Sequence, residues 1–122
     1  MARSDAETYR ATIDAYMAAF NAKDVEALGA LLASDARLID WEVSASGRAE
    51  VVEATRRIVT GANLRISVDA LIVDPPLVAA DLTVTVNEEL DLKVVDLFEF
   101  APDGLIRSVR AFKGPEIRKT GT

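Results

Sequence analysis

Histidine and cysteine are both absent from this 122-residue chain. Without histidine, the commonest general base and the commonest metal ligand are missing together, which excludes a serine–histidine triad and a histidine-ligated zinc hydrolase. Without cysteine there is no disulfide framework, no thiolate nucleophile and no thiolate metal site, and redox chemistry says nothing of compartment. Positive charge is also scarce, with 14 Lys and Arg against 20 Asp and Glu and a formal net charge of −6. Nucleic-acid affinity comes largely from Lys and Arg displacing counterions from phosphates, so no nucleic-acid partner is expected. No apolar run reaches membrane length, and Met1-Ala2-Arg3-Ser4-Asp5 leads into a charged amphipathic stretch without the apolar core of a signal peptide. The expectation is no membrane partner and a cytoplasmic location.

Half of the residues are hydrophobic and 28% are charged, the balance of an ordinary globular protein. The length fits one domain over 1–122. Acid–base chemistry near neutral pH must then use a carboxylate, Lys or Tyr whose pKa is moved by its surroundings. Carboxylates in apolar places are therefore the residues to look for.

From Asp5 to Phe20, Tyr9, Ile13, Tyr16, Met17 and Phe20 recur at helical spacing and define one apolar face. Asp24 reads as the N-cap of a shorter second helix carrying Val25, Leu28, Leu31 and Leu32, with Asp35 just past its end. Arg37 to Trp41 reads as a short strand with Asp40 near its end, and Ser44 to Gly47 as a turn. A third helix is expected over Arg48 to Val59, stopped by Gly61. Strands are expected at Leu64 to Val73, Leu77 to Val86, Leu90 to Phe100 and Leu105 to Lys113. Helices first and antiparallel strands after is the order of an α+β layer, a curved sheet with helices on one face.

Period-two alternation places Leu92, Val94, Asp96, Phe98 and Phe100 on one strand face, so Asp96 is in phase with apolar neighbours. Burial there raises the pKa of a carboxyl group, and a protonated carboxyl can donate a hydrogen bond. The ordinary reading is an ion pair between Asp96 and Arg107 or Arg110 on the next strand. For Tyr16 it is a core tyrosine whose hydroxyl finds a partner, and for Asp40 a turn-capping or solvated carboxylate.

The stretch Ile13-Asp14-Ala15-Tyr16-Met17-Ala18-Ala19-Phe20-Asn21-Ala22-Lys23-Asp24, followed by Ser34-Asp35-Ala36-Arg37-Leu38-Ile39-Asp40, resembles the N-terminal signature of the Δ5-3-ketosteroid isomerases. These enzymes lie within the nuclear-transport-factor-two-like, or SnoaL-like, superfamily of cone-shaped α+β folds. The resemblance resumes at Gly47 to Ile58, at Val94-Val95-Asp96-Leu97-Phe98-Glu99-Phe100 and at Asp103 to Phe112, and so covers most of the chain. The helix signature and final strands are shared widely in the superfamily and speak for fold more than for function.

The resemblance places the family's oxyanion-donating tyrosine on Tyr16, its general-base aspartate on Asp40 and its protonated second oxyanion donor on Asp96. It implies isomerisation of 3-oxo-Δ5-steroids through a dienolate, with no cofactor and no metal. A small apolar, steroid-like ketone would be the partner, and a homodimer would pack through the outer face of the sheet. Substrate-lining positions are expected among Phe20, Leu38, Val84, Val86, Phe98 and Phe112. Two residues depart from the family pattern: Trp41 follows the base where proline is expected, and Thr55 stands where a supporting tyrosine is found in some members. The alternatives are a polyketide-cyclase-like enzyme, an epoxide hydrolase built on an Asp-Arg-Asp constellation, or a non-catalytic module that binds an apolar small molecule.

Overall fold

A computed structural model describes residues 5–118. Helix α1 spans Asp5–Asn21 and buries Tyr9, Ile13, Tyr16 and Met17, the stripe set by the helical repeat. Its end is tied to the sheet by Asn21, whose side-chain amide donates to the Ile66 carbonyl at 2.9 Å while its oxygen accepts from the Ile66 N–H at 2.7 Å. Asp24 caps helix α2, Val25–Gly29, by accepting from the Ala27 N–H. Helix α3 covers Arg48–Gly61 and buries Val51, Ala54, Thr55 and Val59.

Six strands form one sheet: β1 Leu32–Ile39, β2 Ser44–Ser46, β3 Leu64–Asp74, β4 Leu77–Val86, β5 Leu90–Phe100 and β6 Ile106–Arg118. Their order is β2-β1-β6-β5-β4-β3. Every pairing is antiparallel except β1 with β6, so the sheet is mixed. The three helices pack against this curved sheet, so the α+β layer expected from the order of elements, and the cone that the resemblance implies, are the fold observed. The core between the layers holds Ile13, Leu28, Leu32, Val78, Phe98 and Ile106, all fully enclosed.

Four boundaries differ from the sequence reading. The second helix stops at Gly29, and Leu32 opens a strand instead of continuing the helix. A methyl group on Gly29 would meet Val52 Cγ2 at 2.7 Å, so this helix turn lies against α3 through a glycine, and Leu32 is drawn into the sheet by its pairing with Ile106. Asp35 accordingly lies within β1, and β1 ends at Ile39, one residue before Asp40. Ser44–Ser46 is a short edge strand paired with Arg37–Ile39, not a turn. The last strand passes Lys113 to Arg118, because Gly114 and Pro115 are absorbed as an irregularity in the β5–β6 register. Pro115 is tolerated there because β1 leaves β6 at Arg110, so beyond that point one side of β6 needs no ladder donor.

Candidate active site

The concave face of β3–β6, roofed by α1 and α3, encloses a cavity of about 390 Å³. This is within the usual size for a small-molecule site. Tyr16, Asp40 and Asp96 all line it, and so do Phe20, Leu38, Val84 and Val86. The cavity thus brings together residues separated by eighty positions in the sequence.

Asp96 arrives from β5 on the face chosen by alternation: Val94, Asp96, Phe98 and Phe100 are buried while Val95 is exposed. Ala80 and Ala111 flank it on the neighbouring strands, and two small residues leave room for a carboxyl group to face the cavity. Asp96 is only 8% exposed and forms no hydrogen bond or ion pair with the described residues. The arginine pairing is not found, because Arg110 lies opposite Leu97 and so projects from the other face of the sheet. Burial pushes the Asp96 carboxyl up to about 7, with the negative charge of Asp40 as the second cause. Below that pH it is a neutral hydrogen-bond donor.

Tyr16 comes from the buried face of α1. The ring of Phe98 meets it edge-on, with centroids 5.2 Å apart and planes at 82°, a favourable aromatic geometry that fixes the phenol's direction. Burial, and then the charge of Asp96, hold its hydroxyl well above the usual tyrosine range. Tyr16 therefore stays protonated near physiological pH, and its hydroxyl has a proton to donate into the cavity.

Asp40 occupies the turn between β1 and β2. Its Oδ1 accepts from the backbone N–H groups of Glu42 at 2.7 Å and Val43 at 2.6 Å. Its own N–H donates to the Val43 carbonyl at 2.9 Å. This Asx-type turn locks the side chain and leaves Oδ2 without a protein partner among the described residues. The turn-capping role expected of an isolated Asp at this position is real. The same bonds hold a carboxylate at the edge of an apolar cavity.

Two expected lining residues are placed elsewhere. Phe98 is fully enclosed behind Tyr16 and supports that ring instead of facing the cavity. Phe112 is 54% exposed on the opposite face, because it pairs with Val95 while Ala111 pairs with Asp96. Parity along β6 thus assigns the cavity to Val109, Ala111 and Lys113. The sequence reading missed Leu82, Leu92 and Val94, which the same alternation places in phase with Val84 and Asp96. Of the two departures from the family pattern, Trp41 lines the cavity while 44% exposed. Thr55 also lines it, with its hydroxyl donating to the Val51 carbonyl of its own helix at 2.8 Å.

Arg37, Arg107 and Arg110 surround a separate cavity of about 270 Å³ with Glu99 and Ser108. None of the residues lining the larger cavity is an arginine. Among the described residues no cluster of three Asp or Glu could hold a metal ion, and no helix is long and apolar enough to cross a membrane.

Helices laid over a curved mixed sheet, with acidic groups inside the apolar hollow, define a small-molecule-pocket protein of the cone class. The chain belongs to the SnoaL-like domain family, whose model matches residues 13–109. Among solved structures it is similar to a Kribbella flavida protein proposed to be a ketosteroid isomerase, at 27% identity and TM-score 0.79, over 89% of this chain and 79% of that one. It is also similar to SalBIII, an epoxide hydrolase/cyclase-like enzyme in pyran ring formation of the polyether salinomycin, at 26% identity and TM-score 0.80, over 90% and 93% of the two chains. An LEH-like epoxide hydrolase from M. tuberculosis shares the fold at 17% identity and TM-score 0.76, over 88% of this chain and 84% of that one. No curated protein matches the chain.

Proposed function

We propose that the protein is a cofactor-independent isomerase that converts 3-oxo-Δ5-steroids, or closely similar polycyclic enones, to the conjugated Δ4 isomers. The observation that carries this reading is that Tyr16 and Asp96, both pushed by burial toward their protonated, donating forms, line the same apolar cavity as the anchored carboxyl group of Asp40. Asp40 removes a proton from C4, and the electron pair of that C–H bond becomes the C3=C4 bond while charge moves onto the C3 oxygen. Tyr16 and protonated Asp96 donate to that oxygen and stabilise the dienolate. Asp40 then returns the proton to C6, C4=C5 forms and the C3 carbonyl is restored, so the reaction balances with no external reagent.

The apolar walls suit a ligand of low polarity, and the low dielectric around the donors strengthens their bonds to a developing oxyanion. The lack of arginine in this lining counts against the Asp-Arg-Asp hydrolase alternative, since Arg107 and Arg110 belong to the other cavity. A homodimer through the outer sheet face belongs to the same proposal, supported by the exposed apolar side chains of Ile72, Val95 and Phe112.

The test is ultraviolet absorbance of 5-androstene-3,17-dione conversion by wild type, Asp40→Asn, Tyr16→Phe and Asp96→Leu. Wild type should convert it, Asp40→Asn should lose at least about a hundredfold in rate and each donor variant about ten- to a thousandfold. A folded wild type that converts nothing would overturn the proposal.

A further inference from the structure

Lys113 and Glu116 form an ion pair at 2.8 Å that lines the same cavity. Residues three apart on a regular strand point to opposite faces. Here Val94 pairs with Lys113 and Leu92 with Glu116, two positions on β5 against three on β6. The extra residue is a bulge: Lys113 is already on the concave face in phase with Ala111, and the bulge brings Glu116 to that same face. Gly114 lies inside it, where a Cβ would come within 3.1 Å of the Lys93 carbonyl oxygen. The side chains are 41% and 48% exposed, and an exposed pair of this kind adds little to stability. Its effect is to put a donor and an acceptor into an otherwise apolar wall.

The two members leave β6 at different distances from Asp96: Lys113 opposite Val94, two residues along β5 or roughly 7 Å, and Glu116 opposite Leu92, four residues or roughly 13 Å. Their contact places the Lys113 ammonium beside the Glu116 carboxylate, toward the far end of that span. A single ring held by its carbonyl at Tyr16 and Asp96 does not span that gap, whereas several fused rings do. The charged residues of the lining besides Asp96 are Asp40, Glu42 and Glu116 against Lys113 alone, so a ligand with an anionic tail is disfavoured. A neutral hydroxyl satisfies both members of the pair, accepting from Lys113 and donating to Glu116.

Resting on the isomerase reading, we propose that Lys113 and Glu116 form a specificity subsite for a hydroxyl group at the end of the polycyclic substrate remote from its reacting ketone. The probes are three phenolic steroids that share one ring phenol and differ only at C17: estradiol with a hydroxyl, estrone with a ketone, and the 17-deoxy compound. Titration calorimetry on the full chain should rank them in that order, with about a tenfold span between first and last, the worth of one or two hydrogen bonds. Lys113→Met should collapse the span to within about twofold, and Glu116→Met should erase the lead of estradiol over estrone while leaving the 17-deoxy affinity unchanged. Equal binding of all three by wild type, or a ranking that survives Lys113→Met, overturns the subsite and leaves the isomerase reading intact. Failure of all three to bind overturns both.

Discussion

Asp96 is an ionisable group in an environment built for a neutral one, and its phase on β5 was legible from alternation alone. The folded state holds its proton more tightly than the unfolded chain, from 3.8 to about 7. Across that window the unfolded chain binds fewer protons, so stability falls as pH rises from about 4 to about 7 and stays lowered above. Asp96→Asn removes the charged form, and its stability relative to wild type should be greater at pH 8 than at pH 4 by up to roughly 4 kcal/mol. Urea unfolding at the two pH values measures this, and an equal effect at both would contradict the assignment. Asp40 was less legible, because the N–H groups that fix it belong to Glu42 and Val43 and exist only once β1 turns into β2. Phe112 was misjudged for a similar reason: its face is set by the register between β5 and β6, which pairing determines and composition does not.

At the scale of elements, α1, α3, β4 and β5 follow directly from their sequence, since each is a long run with buried residues on one side, and β3 follows from its length and β-branched composition although only Ile66 in it is buried. The short pieces do not. Leu31 and Leu32 fit a helix or a strand equally well, and their pairing with Ile106 of β6 decides for the strand. The β2 edge strand and the reach of β6 beyond Pro115 depend on neighbours that are distant in sequence. The position of α1 over the sheet rests on another such contact, the two hydrogen bonds from Asn21 to Ile66. Asn21→Ala should cost about 2 kcal/mol in urea unfolding and lower turnover as well, because Tyr16 and Phe20 ride on that helix. A change below about 0.5 kcal/mol would show that packing alone holds α1 in place.

Across the whole molecule the two faces of the sheet differ: the concave face lines the cavity that holds Tyr16, Asp40 and Asp96, and the outer face carries exposed Ile72, Val95 and Phe112. The proposed dimer would cover that outer face. Phe112→Glu should then shift sedimentation from dimer to monomer while sparing the cavity, and a wild type that sediments as a monomer would refute the pairing. In the proposed reaction one carboxylate, Asp40, carries a proton across the ligand inside a sheltered cavity. The direct measurement is conversion of a 3-oxo-Δ5-steroid deuterated at C4, followed by mass spectrometric location of the label in the product. With the half-buried Asp40 as the proposed carrier of the proton, a substantial share of the deuterium should be recovered at C6. Conversion with the label wholly lost to solvent would contradict a proton kept on one base inside a sheltered cavity.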